Sequence, residues 1–313
     1  MSEKHYHQAN RRQFLKSTFI GMGTAAVGAT ENLPFPVQAA DPPVKNPFSE
    51  DPLALRKLTD NITCSRIGLG TGMSGGHELE QLGAEKTTDL IRYCYDVGIR
   101  LFDTADSYHK HQIVGESLRD KPRDSFTLVS KMWVHYNNDV PESDRPDAET
   151  LVKRFLKELG TDYIDLLQLH CMLNPNWPQD LARYMDGLEK LKEQGLIRSH
   201  GVTCHSIEAA RIAAEHPWVE AIHLRLNPFG ARMDGSVEDN VEVVRTAQKN
   251  GKGVIIMKVL GEGTITDPDD QQKSIDFIVN LDATDVMVVG LASREHVDTL
   301  IAKTAAALKK EAA

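Results

Sequence analysis

From about residue 50 onward the chain repeats a single pattern: a short apolar run, then a segment with helical spacing, then another apolar run. This alternation is the feature that most restricts the fold, because it is the signature of parallel strands joined by helices. Strands are expected over Ser65–Leu69, Ile99–Phe102, Phe126–Ser130, Tyr163–Leu169, His200–Thr203, Val219–Leu224, Gly253–Met257 and Val286–Val289. Between them the spacing predicts helices over Ala84–Val97, Ile113–Arg119, Asp147–Leu159, Leu181–Gln194, Ile207–Glu215, Val237–Lys249 and Gln271–Val279, with a last one over Arg294–Leu308. In the Asp147–Leu159 segment the apolar residues Leu151, Val152, Phe155, Leu156 and Leu159 fall on one helical face, and Gly160 ends it. Eight strand–helix pairs match a closed (β/α)8 TIM barrel, which takes roughly 250 residues and makes one domain of residues 55–313. The rival, an open doubly wound sheet, would carry a G-x-G-x-x-G turn after the first strand. Gly68-Leu69-Gly70-Thr71-Gly72-Met73 lacks the third glycine.

The first forty residues have a different composition. Arg11-Arg12 is followed by Gln13-Phe14-Leu15-Lys16, then a mildly apolar stretch from Ser17 to Ala29, then Pro34, Pro36, Ala39 and Ala40. Charged start, short apolar middle and small residues have the layout of a signal peptide, and the paired arginines before Phe-Leu-Lys resemble a twin-arginine export signal. Residues 1–40 are therefore expected to direct export through the twin-arginine machinery, with cleavage near Ala39 or Ala40 and a periplasmic or otherwise exported product. Residues 41–54 read as a flexible lead-in. The apolar stretch is shorter than the ~20 residues that span a bilayer, so no stable span is expected in the mature chain. The net charge of −9 argues against a nucleic-acid surface. Cys64, Cys94, Cys171 and Cys204 form no C-x-x-C pair and are expected to be free thiols.

Chemistry in such a barrel sits where strands end. The second strand runs into Phe102-Asp103-Thr104-Ala105-Asp106-Ser107-Tyr108, the third into Ser130-Lys131-Met132-Trp133, the fourth into Leu169-His170. Burying ionisable groups is costly unless they are paired. Three consecutive strands nevertheless bring a carboxylate, a phenol, an ammonium and an imidazole to one rim. These segments, with Val114-Gly115-Glu116-Ser117-Leu118 and the start Ser65-Arg66-Ile67-Gly68-Leu69-Gly70-Thr71, resemble the aldo-keto reductase family over roughly Leu55–Leu308. The resemblance implies a catalytic tetrad of Asp103, Tyr108, Lys131 and His170. It also implies a nicotinamide cofactor that exchanges a hydride with a carbonyl substrate (an aldehyde, a ketone or a sugar). A phenol of pKa about 10 is a poor acid at neutral pH. Lys131 is expected to lower that pKa, Asp103 to hold Lys131, and His170 to orient the carbonyl.

Elsewhere the sequence departs from the family. The Gly-Val-Ser-Asn that holds the nicotinamide amide is here Gly201-Val202-Thr203-Cys204, the sixth-strand Gln is His223, and the stacking aromatic is Met257, followed by Lys258. Only Ser293 and Arg294 stand where members clamp the adenosine phosphate, at the start of the last helix. The cofactor is thus NADP or NAD, with Thr203, Cys204, His223, Met257, Lys258, Ser293 and Arg294 as its candidate contacts. Trp133 is the candidate substrate-binding residue. His109 and His111, two apart in a loop, are read as solvated residues, and no metal site is assigned. Arg225 stands near the sixth rim, where it meets either an anionic substrate or a surface partner. An exported enzyme has little free nicotinamide to recycle, which suggests a tightly held cofactor. The rival reading is a non-enzymatic ligand-binding or redox-sensing module on the same barrel.

Overall fold

The computed structural model describes residues 51–135 and 141–311. The segment read as a twin-arginine signal, its expected cleavage site and most of the lead-in lie outside the described residues. A two-stranded antiparallel hairpin comes first: β1 (Leu55–Thr59) and β2 (Ile62–Ser65). Eight parallel strands follow: β3 (Ile67–Gly70), β4 (Leu101–Asp103), β5 (Thr127–Trp133), β6 (Ile164–Met172), β7 (Ile197–Cys204), β8 (Ala221–Arg225), β9 (Gly253–Met257) and β10 (Val286–Gly290). They pair in sequence order, and β10 returns to β3 to close the barrel.

The outer helices are α1 (His77–Leu82), α2 (Ala84–Val97), α3 (His111–Leu118), α4 (Ala148–Leu159), α5 (Trp177–Asp180), α6 (Ala182–Glu193), α7 (Ile207–Glu215), α8 (Val237–Lys249), α9 (Pro268–Asn280) and α10 (Arg294–Glu311). Their ends follow local chemistry. Asp147 caps α4 by accepting from the Thr150 N–H at 2.7 Å. Ser236 and Asp239 form a reciprocal capping box on α8. Leu151, Val152, Phe155 and Leu159 of α4 are buried, as the spacing predicted.

The hairpin and the short helices α1 and α5 were not expected. Four- to six-residue elements carry too little periodicity to be read from sequence. Leu53, in the stretch read as a flexible lead-in, is partly buried against the core.

The hairpin is the floor of the barrel. Leu58, Ile62 and Cys64 form one apolar cluster with Leu101, Val129, Leu166, Ala221, Ile255, Val286 and Val288 of the strands. Thr59 and Ser199 join by hydroxyls at 2.9 Å, and Thr127 donates to Thr63 O at 3.2 Å. Side chains alternate along a strand. Two residues beyond this plug, β4, β5, β6 and β8 therefore present Asp103, Lys131, Gln168 and His223 to the same interior, all buried. A separate, larger apolar layer lies between strands and helices.

The β7–β8 pairing depends on a residue with no side chain. A Cβ at Gly201 would stand 1.9 Å from Ala221 O, whereas one at Gly160 would meet nothing, its cost being only a φ of +64°. Gly201→Ala is expected to destabilise by roughly 3 kcal/mol or more, and Gly160→Ala by about 1 kcal/mol. Urea unfolding monitored by circular dichroism checks the order, and equal midpoints would refute it.

Candidate active site

The strand ends bring Asp103, Tyr108, Lys131 and His170 together at one mouth. Asp103 closes β4, and a short 3-10 turn at Asp106–Tyr108 carries the phenol back over the barrel. Lys131 Nζ pairs with Asp103 Oδ1 and donates to Thr104 O at 2.9 Å. It lies 5.1 Å from the Tyr108 ring centroid. Tyr108 and His170 meet edge to face, centroids 5.7 Å apart. Gly72 makes room for the phenol, since a Cβ there would sit 2.4 Å from the Tyr108 ring.

The electrostatics differ from the sequence expectation at one point. The Tyr108 phenol is raised above its ordinary value, not lowered, first by burial and then by the Asp103 carboxylate. Lys131 is paired with Asp103, so the two opposite charges largely cancel at the phenol and burial prevails. Burial pulls Lys131 down and Asp103 up, and each is held against that shift by the other. Burial, then the Lys131 charge, pushes His170 down to about 2, so its imidazole is neutral.

Around this core the other candidates are placed as follows. Trp133 reaches the rim with its ring 5.4 Å from that of His170, and its indole N–H donates to His135 O at 2.8 Å. Thr203 is buried, and its hydroxyl accepts from the Cys171 N–H at 2.8 Å. Cys204 points the other way, into the apolar layer behind the strands, where burial raises its thiol. The alternation along β7 explains this: His205, one residue on, takes the mouth instead, and its ring lies 6.2 Å from that of His170. His223 is sealed beneath the tetrad. Its Nδ1 donates to Gln168 Oε1 at 3.3 Å and lies 4.0 Å from Asp103, while its Nε2 is buried without a hydrogen-bond partner.

A cleft opens beside Tyr108 between β3, β10 and the loop after β9. Glycines 70, 72, 263 and 290, with Met257, Lys258 and Glu262, form much of its wall. Lys258 donates to Glu262 at 2.7 Å. Ser293 caps α10 by accepting from the His296 N–H at 3.2 Å. Arg294 is exposed, its guanidinium 5.0 Å over the Tyr93 ring, and neither residue lines this cleft.

His111, read as solvated, is instead buried between Glu158 at 2.7 Å and Ser130 at 2.8 Å. His109 is exposed, as read, and Lys110 pairs with Glu80 at 2.9 Å. Among the described residues no group of three His, Cys, Asp or Glu side chains is arranged for a metal ion, and no helix is long and apolar enough to cross a membrane. All four cysteines are free.

Removing one member of the buried ion pair strands the other. Lys131→Met is expected to cost about 3–5 kcal/mol at neutral pH. The Asp103 pKa is already raised in the fold, so the variant's deficit is full above that raised pKa and shrinks as acid protonates the carboxyl. Denaturation at stepped pH checks this, and a deficit that grows on acidification would contradict it.

Known proteins share both the sequence and the fold. The model of the Aldo/keto reductase family matches residues 66–277. Aldo-keto reductase YhdN of Bacillus subtilis is 33% identical over 185 residues, covering 56% of this chain and 54% of that one. The NADH-specific methylglyoxal reductase of Escherichia coli is 29% identical over 232 residues, 66% and 67% of the two chains. The chain thus spans about half to two-thirds of the length of these two relatives. A solved putative aldo-keto reductase from Pseudomonas aeruginosa superposes with a TM-score of 0.67 at 24% identity, over 81% of this chain and 96% of its own. With the family's match running along the barrel from β3 to α9, through every strand that carries the tetrad, the chain belongs to the aldo/keto reductase family.

Proposed function

We propose that the protein is an exported, nicotinamide-dependent reductase of small carbonyl compounds, with Tyr108 as the proton donor. The observation that carries this reading is the partly buried Tyr108 phenol at the mouth, between the Lys131–Asp103 pair and a neutral His170. The adjoining cleft fits a dinucleotide. Its glycine backbone at 70, 72, 263 and 290 lets a large flat ligand approach, and Lys258 offers charge to a phosphate if the ligand displaces Glu262. Met257 and Lys258 would hold the nicotinamide end, while Thr203 and His223 lie in the interior layer below. Ser293 and Arg294, at the α10 start, would meet the adenosine end. The bound nicotinamide supplies the hydride to the carbonyl carbon.

The residues of the chain do the rest. The raised pKa keeps the proton on the Tyr108 oxygen through the neutral range, so the phenol is loaded as an acid. It passes that proton to the carbonyl oxygen as negative charge builds there. The Lys131 ammonium, 5.1 Å from the ring centroid and paired with Asp103, offsets part of the cost that burial puts on the phenolate. Asp103 keeps Lys131 in place. His170, neutral and edge-on to the phenol, orients the same oxygen. Trp133 closes the side of the mouth and sheds water from it.

Tyr108→Phe is expected to lower kcat by about 10²–10⁴-fold while dinucleotide binding, read by fluorescence, stays. With His170 titrating near pH 2, kcat/KM should show no histidine limb between about pH 5 and 8. Full activity in the phenylalanine variant, or a rate tracking a pKa near 6.5, would sink the reading. Dinucleotide binding without turnover of any carbonyl would favour a binding module.

Export is the second part of the proposal, carried by Arg11-Arg12 before the apolar stretch. Replacing both arginines with lysine should leave the protein in the cytoplasm, as fractionation and immunoblotting would show. Unchanged partition would end the export claim.

A further inference from the structure

The mouth holds one more ring than the tetrad needs. His205 follows β7 directly, and its backbone N–H donates to Met172 O at 2.9 Å, which ties it to the end of β6 beside His170. At its Nδ1 the ring meets Arg225 Nη2. Asp234 holds Arg225 in that direction, its Oδ1 accepting from Nη1 at 3.1 Å. A guanidinium has donors and no acceptor. Nδ1 of His205 must therefore accept, and the ring proton sits on Nε2. That N–H has no hydrogen-bond partner among the described residues, and the residue is only partly buried, so it opens to the mouth. Burial, then Arg225 and Lys258, pushes the imidazole down to about 3, which leaves a neutral ring with one fixed donor.

We propose that His205 determines specificity, its Nε2–H donating to an oxygen on the carbon next to the reacting carbonyl, so that the site selects hydroxyketones and hydroxyaldehydes over plain ones. The inference rests on the carbonyl-reductase reading of the same mouth. Tyr108 and His170 take the carbonyl oxygen. His205, whose ring also packs against His170, takes the neighbouring oxygen. Oxygens on adjacent carbons lie close enough for both rings, since each nitrogen reaches an acceptor roughly 3 Å away. A hydroxyl suits this place better than a carboxylate, because Asp234 already neutralises Arg225.

Hydroxyacetone and butanone differ by a hydroxyl in place of a methyl group and make the test. The ratio of their kcat/KM values is expected to fall about tenfold in His205→Phe, the worth of one neutral hydrogen bond, with butanone turnover kept. His205→Gln, which retains an N–H donor, should keep most of the ratio. Arg225→Met, which frees the tautomer, should lose part of it. An unchanged ratio in His205→Phe overturns the proposal; if that variant does not fold, an unchanged ratio in Arg225→Met does. If the wild-type protein turns over neither ketone, the reductase reading fails separately. Tryptophan fluorescence titrations with the two ketones then read recognition alone, and equal affinities would overturn the role of His205.

Discussion

The buried pair of Lys131 and Asp103 is the interaction on which the rest of the structure depends. Two opposite charges stand inside a barrel, two residues above an apolar plug, and neither is tolerable there without the other. Their meeting requires β4 and β5 to be neighbours in one register, Asp103 beside Val129, with Thr104 N–H donating to Val129 O at 2.9 Å. It also leaves the pair nearly neutral as seen from the phenol, so burial sets the direction of the Tyr108 shift.

The same balance shapes the mouth. His170 and His205 are held neutral by burial and by nearby cations, and His205 receives its tautomer from Arg225. His135 donates to the carbonyls of Cys171 and His170, at 2.7 and 3.1 Å. It thereby fixes the bulge where Cys171 takes a φ of +75°. Neutral rings in this position supply directed N–H groups and little field, which suits uncharged substrates.

Much of this was legible in the chain. The helices Ala84–Val97, Ile207–Glu215 and Val237–Lys249 fall where the spacing put them, because glycine or serine marks their limits and their apolar faces are regular. The four residues that meet at the mouth stood out as ionisable residues at or just past strand ends, a placement that burial alone would forbid. What escaped was of two kinds. The hairpin is too short to show a period, and its role comes from packing under strands far away in sequence. Cys204 and His205 turned on the phase of one strand: a shift of one residue swaps inside for outside. The direction of the Tyr108 shift escaped for another reason, since burial depends on every residue above the ring and spacing reports none of them.

The plug of Leu58, Ile62 and Cys64 stops one end of the barrel, and buried Asp103, Lys131, Gln168 and His223 stand in the interior above it. The barrel is thus solid beneath its rim, and a guest is confined to that rim. Side chains deeper down can influence it only through the ones they support.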